Sequence, residues 1–148
     1  MDLILWRHAE AADGSPDHAR ELTPKGIKQS AKIAALLRQH LPDDHRVLVS
    51  PAVRAQQTAS SLTSHFTLAP TISPGASAQA VLQAARWPDA GDAVLVVGHQ
   101  PTLGEVAAQL LGCADTTFSI KKGAIWWFSH KEGSEQVSLR LVISPDFL

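Results

Sequence analysis

Asp2-Leu-Ile-Leu-Trp-Arg7 is a nearly continuous apolar run that stops abruptly on Arg7 and His8. Apolar side chains at both odd and even positions of a strand imply burial on both faces, as inside a largely parallel sheet. The run therefore predicts a first strand over residues 2–7. Ala11 to Glu21, with Asp13-Gly14 and Ser15-Pro16, is polar and reads as a loop. Thr23-Pro24 then supplies an N-cap and a proline at the first helical position. The helix that follows is expected to run to about Gln39, with Ile27, Ala31, Ala34 and Leu37 facing the sheet and Lys28, Lys32 and Arg38 facing water.

The cycle then repeats. Val47-Leu-Val-Ser50 is a second strand, Ser50-Pro51 a break, and Ala52 to about His65 a helix with Ala55, Ala59, Leu62 and Phe66 on its apolar side. Pro70 to Gly75 is irregular or a short edge strand, and Ser77 to about Arg86 is a short helix on Val81, Leu82 and Ala85. Ala93-Val-Leu-Val-Val97 is another buried strand, and Gly98 to Pro101 turns the chain into a helix that reaches Leu111 and stops at Gly112. Ala124 to Ser129 and Gln136 to Ser144 form two strand-like runs about Lys131-Glu-Gly-Ser134, an antiparallel hairpin. Strands alternating with helices and closing on a hairpin predict an α/β fold, a three-layer α/β/α sandwich with a mostly parallel central sheet. At 148 residues, one domain over 1–148 is expected.

Thirteen Lys and Arg against fourteen Asp and Glu leave a formal charge of −1, which argues against nucleic-acid or membrane-surface partners recruited by bulk charge. Hydrophobic residues at 45% and charged residues at 18% are enough to build a core, so disorder is excluded as the main state. The single Cys113 can close no intrachain disulfide, and a reducing cytoplasm is the expected location. Met1 to Trp6 carries Asp2 and no basic leader, so no signal peptide is expected. No apolar run approaches the roughly 20 residues needed to cross a bilayer. A monomer is the expected state.

Three polar clusters fall in equivalent places: Arg7-His8 after the first strand, Ser50-Pro51 through Arg54 after the second, and Gly98-His99-Gln100-Pro101 after the later central strand. If those strands are parallel, all three clusters meet at the carboxyl edge of one sheet, where open α/β folds bind ligands. Two arginines and two histidines, with helix N-termini near Ala52 and Pro101, would repel one another when empty and complement a compact anion. Phosphate is the natural candidate, because a phosphoryl group offers three acceptor oxygens to the donor fork of Arg. A neutral imidazole nitrogen can attack phosphorus and later be displaced by water. Neighbouring Arg charges should lower the pKa of such a ring, whereas a second His beside bound dianion should be pushed toward its protonated form. Composition leaves open which histidine plays which part.

Leu5-Trp-Arg7-His8-Ala9-Glu-Ala11, Leu22-Thr-Pro-Lys-Gly26, Ser50-Pro-Ala-Val-Arg54-Ala-Gln-Gln-Thr58-Ala and Val97-Gly-His99-Gln-Pro101 together resemble the histidine phosphatase superfamily, with its phosphoglycerate mutase-like fold. The opening Arg-His-Ala and the short chain look most like its SixA-type phosphohistidine phosphatases. The resemblance runs from Met1 to at least Ile125, through Lys121-Lys-Gly-Ala124. It implies that His8 is the phosphorylated nucleophile, that Arg7 and Arg54 clamp the phosphoryl oxygens, and that His99 stabilises the transferring group. It implies no metal and no cofactor, and a phosphohistidine-bearing protein as substrate. In this pattern charged residues such as Asp17 and Arg20 line the entrance to the site and contact substrate.

One departure bears on the substrate. Mutase-like and phytase-like members add a carboxylic acid that protonates an oxygen leaving group, but between Arg54 and His99 this chain offers only Asp89 and Asp92, in a predicted surface turn. A phosphorus-nitrogen bond can release neutral imidazole without such an acid. The alternatives are a small-molecule or phosphoserine/phosphothreonine phosphatase of the same superfamily, and a phosphoryl-binding module that does not turn over. Glu10 could serve as an acid, point outward or pair locally. His18, His40, His45, His65 and His130 read as solvated or locally hydrogen-bonded rings, and two nearby Arg disfavour a metal held by His8, His99 and His18. Of Trp126-Trp127, one is expected in the core, because adjacent strand residues face opposite sides. Lys121-Lys122 reads as a solvated pair whose charge could help dock an acidic phosphoprotein, and Cys113 as a buried small hydrophobe or an inert surface thiol.

Overall fold

A computed structural model describes residues 1–148. Six strands form one sheet: β1 (Asp2–Arg7), β2 (His45–Val49), β3 (Thr67–Leu68), β4 (Ala93–Gly98), β5 (Ile125–His130) and β6 (Val137–Ile143). Their order is β3-β2-β4-β1-β5-β6, with β1 to β4 mutually parallel where they pair and β5 and β6 antiparallel. The helices are α1 (Pro24–His40), α2 (Val53–Ser60), α3 (Ala78–Ala85) and α4 (Thr102–Leu110). None is long and apolar enough to cross a membrane.

The unbroken apolar character of β1 has the predicted cause. Leu3 and Leu5 pack with Val81, Leu103 and Val106 on the α3/α4 side, while Ile4 and Trp6 pack with Ile33, Leu37, Ala55 and Ala59 on the α1/α2 side. Each such side chain, fully withdrawn from water, contributes roughly 1.5–3 kcal/mol before entropy is counted. Helices therefore cover both faces, giving three layers. Trp126 and Trp127 follow the same alternation: Trp127 is buried with the α1/α2 core, and Trp126 packs at the margin of the other.

Helix α1 departs from the expected rotation. Thr23 caps it by accepting a hydrogen bond from the Gly26 amide at 3.0 Å, as the Thr-Pro signal predicts. Its buried positions, however, are Gly26, Ser30, Ile33, Ala34 and Leu37, and Ile27 and Ala31 are exposed. The reason is tertiary. Gly26 lies against the backbone of Glu10 so closely that a Cβ there would overlap the Glu10 carbonyl oxygen, and this contact sets which face turns inward. Helix α2 ends at Ser60 rather than near His65. There the Ser61 hydroxyl donates to the carbonyls of Thr58 at 2.6 Å and Ser30 at 3.2 Å, a side-chain alternative to further helical turns. The edge strand is only two residues long and precedes Pro70, where a 3-10 turn runs Pro70–Ile72.

Candidate active site

The order β2-β4-β1 places three carboxyl ends side by side. Arg7 is in register with Gly98, and Val49 with Val97. The ladder continues one residue further, because the His8 amide donates to the Gly98 carbonyl and the Ser50 amide to the Val97 carbonyl, both at 3.0 Å. His8, Ser50 and His99 are therefore fixed by main-chain hydrogen bonding before any side chain acts. A turn from residues 120–124 braces the same point: the Gly123 amide reaches the Arg7 and His8 carbonyls at 3.1 Å, and the Trp6 indole N–H donates to the Gly123 carbonyl at 3.0 Å. Gly123 has φ +75°, in the left-handed region that favours glycine.

The side chains converge. The His8 and His99 ring centroids are 5.1 Å apart, and both residues are buried. His8 Nδ1 lies 2.8 Å from the Ala9 carbonyl oxygen, which can only accept, so Nδ1 carries the ring proton and Nε2 keeps its lone pair. The Arg54 Nε–H points at that Nε2 from 3.4 Å. His99 Nε2 is 2.7 Å from the Ser50 hydroxyl, while its Nδ1 is buried without a protein partner. Arg7 donates through Nη1 to the Ile120 carbonyl at 2.8 Å, and its Nε is likewise buried and unpartnered. Thr58 ties the two halves together: its hydroxyl accepts from the Ala9 amide at 3.0 Å and donates to the Arg54 carbonyl at 2.7 Å.

Asp17 and Arg20 come to the rim. The buried Arg54 guanidinium donates to the Asp17 main-chain carbonyl at 2.9 Å and meets its carboxylate at 3.2 Å, and Arg20 pairs with the same carboxylate at 3.0 Å. The hydrogen bond from Arg20, then the Arg54 charge, hold the Asp17 carboxyl below its ordinary range, so it is ionised at neutral pH. Glu10 is engaged locally, accepting from the Thr23 hydroxyl at 2.7 Å. Asp92 pairs with Arg46 at 3.8 Å, beside the opposite, amino ends of β2 and β4.

Burial, first of all, pushes the His8 imidazole down to about 4, with the Arg54 and Arg7 charges adding to it and the Ala9 carbonyl opposing. His99 is pushed down to about 3, again by burial first and then by His8 and Arg54. Neighbouring arginines lower the His8 pKa as expected but rank below its removal from water, and with no anion bound both rings are neutral.

Sequence reasoning assigned no part to the hydroxyls of Ser50 and Thr58. Ser50 read as a strand break before proline, and Thr58 as one residue of a motif. The only signal for Ser50 was its place after a predicted parallel strand. Of the remaining histidines, His45 Nδ1 meets the Pro42 carbonyl at 2.6 Å and His130 Nε2 the Ser134 carbonyl at 2.7 Å. Cys113 is exposed.

A doubly covered, mostly parallel sheet with a basic, histidine-bearing carboxyl edge defines a phosphoglycerate mutase-like α/β protein. A model of the family described as histidine phosphatase superfamily (branch 1) matches residues 3–77. The phosphohistidine phosphatase SixA homolog of Haemophilus influenzae is 35% identical over 128 residues, covering 76% of this chain and 78% of that protein. Phosphohistidine phosphatase SixA of Escherichia coli is 33% identical over 120 residues, covering 74% of each. The solved protein histidine phosphatase SixA complexed with tungstate superimposes with a TM-score of 0.85 at 28% identity, covering 99% of both chains. The chain belongs to the histidine phosphatase superfamily, and within it to the SixA type.

Proposed function

We propose that this phosphatase hydrolyses phosphohistidine on another protein, in two steps, through a covalent phosphohistidine on His8. The observation that carries the proposal is the state of the His8 ring: its proton is committed to the Ala9 carbonyl, and its Nε2 lone pair faces Arg54 at 3.4 Å with the second ring 5.1 Å away. In the first step, Nε2 attacks phosphorus and forms a phosphorus-nitrogen bond. The bond to the substrate ring breaks, and its electron pair returns to that ring's nitrogen. In the second step, water attacks the same phosphorus, the bond to Nε2 breaks with its pair returning to His8, and the water's proton leaves with solvent as phosphate departs.

Arg54 and Arg7 neutralise the phosphoryl oxygens, and charge-assisted hydrogen bonds of this kind are worth about 1.5–3 kcal/mol each. His99 presents its unpartnered Nδ1 to the transferring group. Bound dianion supplies the charge that raises His99 toward its protonated form, restoring the division of labour that the empty site lacks. Asp17 and Arg20 border the entrance, Arg20 holding Asp17 and Asp17 holding Arg54, and Asp17 yields part of its hold on Arg54 to the incoming anion.

The carboxyl groups favour a phosphorus-nitrogen substrate. Asp17 is held ionised and Glu10 is bound to Thr23, so neither is poised to protonate an alkoxide. A substrate imidazole protonated at its other nitrogen leaves as a neutral ring and needs no such acid. The relatives named phosphohistidine phosphatase point the same way.

The test is to trap the intermediate. During turnover of a histidine-phosphorylated protein, quenching in alkali should leave acid-labile, alkali-stable phosphate on the enzyme. His8→Ala should abolish both the label and turnover, by at least about a thousandfold. Turnover with no covalent label would overturn the mechanism, and faster cleavage of phosphoserine or sugar phosphates than of phosphohistidine would overturn the substrate.

A further inference from the structure

The chain has six lysines, and five of them, Lys25, Lys28, Lys32, Lys121 and Lys122, line one groove of about 860 Å³ that also takes in Arg7. This concentration is unexpected in a chain whose formal charge is −1. All five lysines are exposed, and the ion pairs of the molecule are made by Arg20, Arg46, Arg54 and Arg140, none by a lysine. The two carboxylates that face the groove, Glu10 and Asp146, are outnumbered, and Glu10 already accepts from Thr23. Like charges crowded without counterions are a cost to the free protein, so the groove is complementary to something negative.

Its position says how that partner approaches. Arg7 belongs both to the groove and to the histidine site, where its charge acts on His8 and His99. Lys25, Lys28 and Lys32 follow the i, i+3, i+7 spacing of one helical face, a row roughly 10 Å long on α1. Lys121 and Lys122 lie on the turn that braces Arg7 and His8. We infer that this groove docks an extended acidic segment of the phosphorylated protein, with Asp and Glu side chains on the lysines and the phosphorylated residue led past Arg7 to His8.

The kind of cation argues for carboxylates on a chain rather than for a second compact phosphate. A tetrahedral anion is gripped by planar, buried donor forks such as Arg54. Exposed ammonium groups on flexible stems make a diffuse field that steers and aligns a larger partner. Nucleic acid would ask for a row of stacking surfaces, and Phe147 is the one aromatic ring on the groove. The inference rests on a phosphoprotein being the substrate, and the experiment is arranged so that the two can fail separately.

Matched peptides carry a central phosphohistidine flanked either by Asp and Glu or by Asn and Gln, and a second matched pair carries phosphoserine. At low salt the acidic phosphohistidine peptide should have a kcat/KM at least about tenfold above its neutral partner, and the gap should narrow as salt is added. In Lys25→Glu/Lys28→Glu/Lys32→Glu, which leaves the bracing turn intact, that preference should vanish, with the neutral peptide unaffected. The unphosphorylated peptides, followed by fluorescence anisotropy, should rank the same way, so the readout does not depend on turnover. Equal use and binding of acidic and neutral peptides by the unaltered protein, or a preference that survives in the triple variant, overturns the groove. If only the phosphoserine pair is turned over, the phosphohistidine reading falls and the acidic-to-neutral ratio in that pair decides the groove. A short single-stranded DNA that competes better than polyglutamate of equal charge reassigns it to nucleic acid and overturns the proposal.

Discussion

The two edges of the one sheet treat charge in opposite ways. At the amino edge, cations find anions: Arg140 meets the Asp2 carboxylate at 2.8 Å, the Trp127 indole N–H donates to the same oxygen at 3.1 Å, and Arg46 faces Asp92 at 3.8 Å. At the carboxyl edge, Arg54 and two histidines are buried together with Arg7 beside them, and the single carboxylate in contact, that of Asp17, is largely exposed. The same strands end in both places, so the difference lies in which side chains follow them. Paired charges serve the fold. Cations crowded beyond the anions within reach lower the stability of the free protein, and a bound anion would complement them.

The sharpest way to break this contrast is Arg54→Ala. Loss of a donor aimed at the developing phosphoryl charge should lower kcat/KM on the order of a hundredfold, about 2.7 kcal/mol, while urea unfolding remains cooperative with little change in midpoint. Unaltered turnover would remove Arg54 from the site, and loss of the folded state would make it a structural cation like Arg46.

A smaller effect is expected on acidification. His8 and His99 bind protons near 4 and 3 when folded and near 6.5 when unfolded, so between those values the unfolded chain holds more protons. Stability is therefore complete above about pH 6.5 and falls as pH is lowered toward 4, by on the order of 1 kcal/mol for the two rings between pH 7 and 6. Urea midpoints across that interval measure it. A flat profile, or ring NMR signals that titrate near 6.5, would show that the carboxyl edge is wetter and less crowded than described. Smallest of all should be Arg140→Ala at the other edge. An exposed ion pair, with the guanidinium 5.3 Å from the Trp127 ring centre, contributes about 0.5–1 kcal/mol, and phosphatase rates should not move. A loss of activity there would mean that the two edges are coupled through β1.

The features legible in the sequence are those that local chemistry determines. β1 and β4 were readable because a strand covered on both faces is apolar throughout, and Thr23 caps its helix in the way Pro24 predicts. His8, Arg7, Arg54 and His99 could be placed together because each follows a strand or opens a helix at one edge. What escaped depends on contacts distant in the chain. The inward face of α1 is set by Gly26 against Glu10, which no periodicity around residue 26 announces. The Ser50 hydroxyl acquires a part only because β2 lies beside β4. Asp17 was expected at the entrance, but its bond to Arg54, made from a 3-10 turn over Asp17–Ala19, was not.

The turn at residues 120–124 has one more consequence. His8, Arg7, Arg54 and His99 all lie before Gly112, yet the Gly123 amide donates to the Arg7 and His8 carbonyls, and Arg7 donates to the carbonyls of Ala124 and Ile120. A polypeptide severed between those two stretches would leave one fragment with all the chemistry and the other with its anchorage. Phosphatase rate in a mixture of the two would then report their reunion, which makes the hairpin a natural complementation handle.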